Sequence, residues 1–86
     1  MSKKLTQKVL KYTAIFEPAE EGGYVVYVPA LPGCVTEGDS LEKAVDMVKD
    51  AISGYIASLE KHNEPIPEEN HPSFVSIIDV PIPVTT

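Results

Sequence analysis

An amphipathic segment in the middle of the chain restricts the fold more than any other feature of the 86 residues. Its apolar residues recur at steps of three and four: Leu41, Ala44, Val45, Val48, Ala51, Ile52, Tyr55, Ile56 and Leu59. This spacing places them on one side of an α-helix, and the charged residues between them form a solvated side. Asp39 and Glu42 have the spacing of a capping box. We therefore predict one helix from about Ser40 to Lys61, with Asp39 as its N-cap.

The segments before this helix have the pattern of strands. Val9–Glu17 alternates, with Leu10, Tyr12, Ala14 and Phe16 on one side. Tyr24–Val28 is rich in β-branched and aromatic residues, which favour strands. Gly22 and Gly23 can supply the positive φ that a hairpin turn requires. The two segments are therefore predicted to form an antiparallel hairpin.

Two further strands are predicted on either side of the helix. Cys34–Glu37 follows a turn with Pro32 at its first corner and Gly33 at its second. Phe74–Val80 follows a loop whose prolines exclude a helix. The predicted fold is α+β, with a three-stranded antiparallel meander, one long helix and a fourth strand (β-β-β-α-β). We expect one domain over residues 1–86, with residues 1–8 as a flexible arm.

The predicted strands carry apolar side chains on both faces, whereas a single helix covers only one face of a sheet. A chain of this length also buries only slightly more than about 60% of its unfolded surface. Cys34 is the only cysteine, so a disulfide within the chain is excluded. Self-association, a partner protein or both are therefore expected to supply the missing burial.

The charge pattern indicates the class of partner. The formal net charge is −6, and all seven basic residues are lysines. Arginine supplies the planar fork that binds phosphates and guanine edges, so direct nucleic-acid binding is not expected. An acidic chain can instead dock onto a basic protein, although a negative charge of this size also serves solubility alone. No apolar stretch approaches the roughly 20 residues of a membrane span, and a lone thiol without a signal-peptide pattern indicates the cytoplasm.

No catalytic, metal or cofactor site is predicted. A nuclease of the ribonuclease H type requires several carboxylates around Mg²⁺, but Glu17 and Asp79 both lie late in their strands. Cys34 has no histidine near it in sequence, so we interpret it as a buried strand residue. His62 and His71 are assigned to the helix end and a loop. The alternative, a nuclease that retains metal-dependent RNA cleavage, requires at least two carboxylates to meet in the fold.

Several consecutive pieces of the chain resemble the N-terminal domain of HicB-type antitoxins. They are Tyr12–Glu17, Tyr24–Pro29, Leu31–Gly38, Asp39–Ala44 and Glu64–Pro67. Together they extend over nearly two thirds of the chain in the order and spacing of that family. The resemblance implies a reduced ribonuclease H sheet with one long helix. It also implies a binding module that forms dimers or tetramers and blocks a small basic HicA-type toxin, which cleaves mRNA.

Many members of that family continue into a C-terminal DNA-binding domain, and we expect none here. The candidate toxin-interface residues form two acidic groups with one tyrosine: Glu17, Glu20, Glu21 and Tyr24 at the first hairpin, and Glu64, Glu68 and Glu69 in the proline-rich loop. Both groups also suit solvated loops. The alternative function is an orphan oligomeric scaffold or small-ligand-binding domain that has no toxin partner.

Overall fold

The computed structural model describes residues 9–71 and 73–85, so the arm predicted at residues 1–8 lies outside the described residues. Its elements are β1 (Ile15–Pro18), β2 (Tyr24–Tyr27), β3 (Val35–Gly38) and α1 (Leu41–Lys61). The strands pair antiparallel in the order β1-β2-β3. Three antiparallel strands followed by one long helix confirm the predicted α+β class.

The turn between β1 and β2 is formed by the predicted glycine pair. Gly22 and Gly23 have φ angles of 100° and 75°, and Gly22 N–H donates to Ala19 O over 3.0 Å. A Cβ atom on Gly23 would lie only 2.4 Å from Gly38 O. Gly23 is therefore required both for its backbone conformation and for the close approach of the neighbouring chain.

The turn between β2 and β3 confirms the predicted role of its proline and glycine. Gly33 has a φ angle of 83°, and Cys34 N–H donates to Leu31 O over 2.9 Å. Positive φ at the second corner is the requirement of a type II turn, which glycine meets without strain. The turn brings the Leu31 side chain into the core, where it is fully buried.

The helix begins one residue later than the predicted cap. Ser40 is the N-cap, with extended backbone, and its hydroxyl accepts from Lys43 N–H over 3.1 Å. The predicted capping box of Asp39 and Glu42 is wrong, because Ser40 holds the position from which a side chain reaches the third amide of the helix. At the other end Asn63 has a φ of 54°, and Glu64 N–H donates to Leu59 O over 2.9 Å.

The core lies between α1 and the sheet. Its buried residues are Val26, Val28, Leu31, Cys34, Ala44 and Val48, and Tyr12, Ala14, Phe16 and Tyr24 pack against it. The side of the first segment that carries Tyr12, Ala14 and Phe16 therefore faces the helix. The helix packs closely against β3 at Gly38, where a Cβ atom would lie 2.4 Å from Ala44 N.

The fourth strand predicted over Phe74–Val80 is not formed in this structure. None of the described residues from 73 to 85 belongs to a strand, and all of them are exposed. A strand requires hydrogen bonds to a neighbouring strand, and β1, β2 and β3, the strands of the described residues, pair only with one another. The first strand is also shorter than predicted, because residues 9–14 precede the ladder that begins at Ile15.

Candidate interaction surface

The face of the sheet opposite α1 combines apolar and acidic side chains. Phe16 and Val26 are paired and contact the core, so their neighbours along each strand point to the opposite, open face. The register aligns these neighbours in two rows across the sheet: Ile15, Tyr27 and Val35, and then Glu17, Val25 and Glu37. Val35 is 59% exposed. The open face therefore carries an apolar row next to a second row, in which Val25 lies between the carboxylates of Glu17 and Glu37.

One hydrogen bond orders a carboxylate on the open face. Tyr27 Oη donates to Glu17 Oε1 over 3.2 Å. This bond, followed by burial and the charge of Glu17, raises the pKa of Tyr27. Tyr27 lies on the same face of the sheet as Glu17, as the alternation of the two paired strands requires.

Not all of the predicted interface residues at the first hairpin are exposed. Glu17, Glu20 and Glu21 are exposed at one end of β1. Tyr24 instead packs against the core, because it shares the inward side of β2 with Val26. The structure therefore brings the three glutamates together at this end, which we call the hairpin acidic end, and places Tyr24 behind them.

The second predicted group lies at the opposite end of β1, and one of its members has an internal role. The Glu69 carboxylate accepts from Thr13 N–H over 2.7 Å and from Thr13 Oγ1–H over 2.8 Å. These bonds from the Thr13 backbone and hydroxyl lower the pKa of Glu69. Tyr12 Oη also donates to Pro67 O. Together they form a clamp that attaches the loop after α1 to the chain before β1, whereas Glu64 and Glu68 are exposed.

The two acidic groups do not form one continuous surface. Thr13, which holds Glu69, precedes β1, whereas Glu20 and Glu21 follow it. Sequence reasoning could not find the clamp, because Thr13 and Glu69 are 56 positions apart and neither residue type is unusual in a loop. A partner that contacts both groups would have to extend along the whole of β1.

A groove of about 960 Å³ opens beside β1, on the helix side of the sheet. Its walls are α1 and residues 10–14, and its lining is mostly apolar: Leu10, Tyr12, Ala14, Val45, Val48, Ile52, Ile56 and Ile66, with Lys11, Lys49, Ser53 and Glu60 also present. We call it the β1-side groove. It exists because α1 packs on β2 and β3 and leaves the side toward β1 open.

Reactive groups are sparse in the described part of the chain. Within residues 9–71 and 73–85, no three His, Cys, Asp or Glu side chains lie close enough to hold a metal ion together. Burial raises the pKa of the Cys34 thiol, which favours the neutral form. The His62 ring lies against Ser58 O at 2.7 Å, within the last turn of the helix. Among the described residues there is also no helix with the length and apolarity of a membrane span.

Comparison with known proteins places this fold in a family. Residues 12–78 match the family described as the HicB-like antitoxin of bacterial toxin-antitoxin systems. A UPF0150 protein of Thermoplasma acidophilum is 54% identical over 61 residues, which cover 71% of this chain and 88% of that protein.

Two curated antitoxins are also similar, over a smaller share of their own length. Antitoxin HicB 1 of Photorhabdus laumondii is 37% identical over 79 residues, which cover 92% of this chain and 50% of that protein. Antitoxin HicB of Escherichia coli is 31% identical over 81 residues, with coverages of 90% and 56%. This chain thus spans about half the length of these two relatives. The matched residues include all three strands and α1, and the chain belongs to the HicB-like antitoxin family.

Proposed function

We propose that this chain is a toxin-binding module that sequesters a small basic mRNA-cleaving toxin of the HicA type and blocks it by occlusion. The observation that carries this proposal is the match of residues 12–78 to an antitoxin family. The formal charge of −6 supports it, because a basic ribonuclease surface is attracted to an acidic one over the whole approach. Antitoxin action by occlusion requires contact area and complementary charge but no catalytic group of its own, so the proposed role is non-enzymatic.

The hairpin acidic end and the adjoining open face are the surface that best suits such a partner. Glu17, Glu20 and Glu21 are exposed there, and the Glu17 carboxylate is already ordered by Tyr27. A preordered carboxylate loses less side-chain entropy when it binds a cation. Glu64, just after the end of α1, and Glu68, beside residues 9–12, are candidates for a second contact. Glu69 is better regarded as a structural residue, since both of its carboxylate oxygens accept from Thr13.

We further propose that the protein acts in the cytoplasm as a dimer or tetramer and does not bind nucleic acid directly. The open sheet face supports self-association, because Val35 and its neighbours leave apolar area exposed on one chain. The absence of arginine argues against phosphate recognition by this chain.

Co-expression with the product of the adjacent gene tests the proposed function. We expect the two proteins to co-purify and the growth arrest caused by the adjacent product to be relieved. The double variant Glu20→Lys, Glu21→Lys should weaken both effects. Asp46→Lys and Asp50→Lys together provide a control with the same charge change, because both residues are exposed on α1. Normal growth of cells that express the adjacent product without this protein would contradict the proposal, and so would failure of the two proteins to co-purify.

The alternative is an orphan scaffold or small-ligand-binding domain, and the β1-side groove is the observation that favours it. Its volume of about 960 Å³ and its mostly apolar lining are within the range of ligand pockets. A genomic neighbourhood without a short basic reading frame would favour this alternative. Retention of an apolar small molecule through purification, detected by mass spectrometry of the denatured protein, would support it directly.

A further inference from the structure

The β1-side groove has walls that belong to the folded core. Val48, which lines the groove, is 5% exposed and is one of the buried core residues. Ile66 lines it from the loop after α1, and the clamp attaches the next residue, Pro67, to the Tyr12 hydroxyl. A ligand would therefore meet walls that are already in place, which reduces the entropy lost on binding.

The groove is elongated along the helix. Its lining on α1 begins at Val45 and ends at Glu60, which corresponds to about four turns or about 22 Å of helix. Between these residues Ile52 and Ile56 also line it, and both are half-buried. A long apolar surface of this kind suits an unbranched alkyl chain, which gains affinity with every methylene that it buries.

The charged groups of the groove have the opposite balance to the whole chain. The ammonium groups of Lys11 and Lys49 line it together with the carboxylate of Glu60, whereas the chain has 13 acidic and seven basic residues. At about 0.15 M salt, charges more than about 8 Å apart are largely screened. A charged group bound in the groove therefore responds to these lysines more than to the net charge, and an anion is favoured over a cation.

The two lysines differ in their surroundings. Both are exposed, so each can lay its methylenes along the apolar lining and keep its ammonium group at the rim. Lys11 also borders a smaller cavity that Glu68 and Glu69 line, and these carboxylates weaken its attraction for an anion. Lys49 lies on α1 between the apolar lining residues Val48 and Ile52, so it is the stronger candidate for a head group.

We propose that the β1-side groove binds a small amphipathic anion, namely an unbranched alkyl chain with a carboxylate head. The alkyl chain lies along α1 against Ile52 and Ile56, and the carboxylate lies at Lys49, with Lys11 as a second cation. The groove is on the helix side of the sheet, whereas the toxin contact is proposed for the hairpin acidic end and the open face. The ligand site therefore stands or fails separately from the proposed function.

Isothermal titration of the full chain with decanoate, below its micelle concentration, is the first test. We expect saturable binding of one decanoate per chain. Decyltrimethylammonium has the same alkyl length and the opposite charge, and it should bind at least roughly fivefold more weakly, because it loses one ion pair. Decanoate that does not bind, or binds no more tightly than this cation, would overturn the proposal.

Two pairs of variants on α1 locate the site. Lys49→Glu should weaken decanoate binding roughly fivefold, whereas Lys43→Glu makes the same change in net charge outside the groove lining. Ser53→Trp should abolish binding by filling the groove, whereas Ser58→Trp, also exposed on α1 but outside the lining, should not change it. Circular dichroism of all four variants verifies that α1 is retained. Equal effects of the two members of either pair would overturn the proposed site.

Light scattering with and without decanoate distinguishes a ligand site from a contact between copies of the chain. We expect saturating decanoate to leave the mass of the particle unchanged, because the ligand occupies a groove that each chain presents by itself. A decrease in mass as decanoate binds would show that decanoate displaces a second copy from the groove. That result would overturn the proposal.

Discussion

At the scale of single residues, Gly38 and Gly54 differ in the space around them. Gly54 lies within α1, and Gly38 lies at the end of β3 and packs against α1. A Cβ atom on Gly38 would lie 2.4 Å from Ala44 N, whereas one on Gly54 would meet no atom within 4 Å. We expect Gly38→Ala to lower the free energy of unfolding by about 1–3 kcal/mol, because the backbone must move. Gly54→Ala should raise it by up to about 1 kcal/mol. Urea denaturation of the two variants measures both changes, and equal effects would contradict the described packing.

The pairing of Glu69 with Thr13 predicts a pH dependence of stability. The folded pKa of Glu69 is lowered by these bonds, so the bonds stabilise the protein above the unfolded carboxyl pKa of about 4.3. This contribution is lost as the pH falls through the lower folded pKa. Glu69→Gln should therefore lower the Tm at neutral pH and reduce its fall on acidification. Glu64→Gln, in the same loop and exposed, is the control and should leave the Tm curve unchanged.

At the scale of elements, the start of α1 gives a direct comparison between two adjacent residues. Ser40 accepts from Lys43 N–H and is the N-cap, whereas Asp39 precedes it. We expect Ser40→Ala to cost about 1 kcal/mol of unfolding free energy. Asp39→Ala should cost much less. Thermal or urea unfolding distinguishes the two residues, and a larger loss for Asp39→Ala would favour the cap that the sequence pattern suggested.

The elements differ in how far sequence reasoning could reach them. The helix and the Gly22-Gly23 and Pro32-Gly33 turns depend on neighbours in sequence, and their patterns predicted them almost to the residue. The cap was misplaced because Asp39 and Ser40 both suit that role. The strand predicted over Phe74–Val80 requires the hydrogen bonds of a neighbouring strand, and the described residues show none beside it, so composition alone could not decide it. Glu17, Glu20 and Glu21 were predictable as exposed acids, but the internal role of Glu69 depends on a contact between distant residues.

At the scale of the whole molecule, the acidic charge predicts how a partner would associate. With a formal charge of −6, association with a basic protein should be accelerated by long-range attraction, which salt screens. We expect the association rate constant with the adjacent gene's basic product to fall on the order of tenfold from low to high salt. Stopped-flow fluorescence measures it. A rate independent of salt would argue against the acidic surface as the approach side.

The contact between Thr13 and Glu69 has a consequence for the order in which the protein assembles. The contacts within the hairpin, the β2–β3 turn and α1 join residues that are close in sequence. Contacts of that kind form early in folding. The clamp closes a loop of 56 positions, so it is expected to form after them. During synthesis the sheet and helix can then be complete while the C-terminal residues are still emerging. Each new molecule would thus present the exposed glutamates of the hairpin acidic end before the clamp has closed.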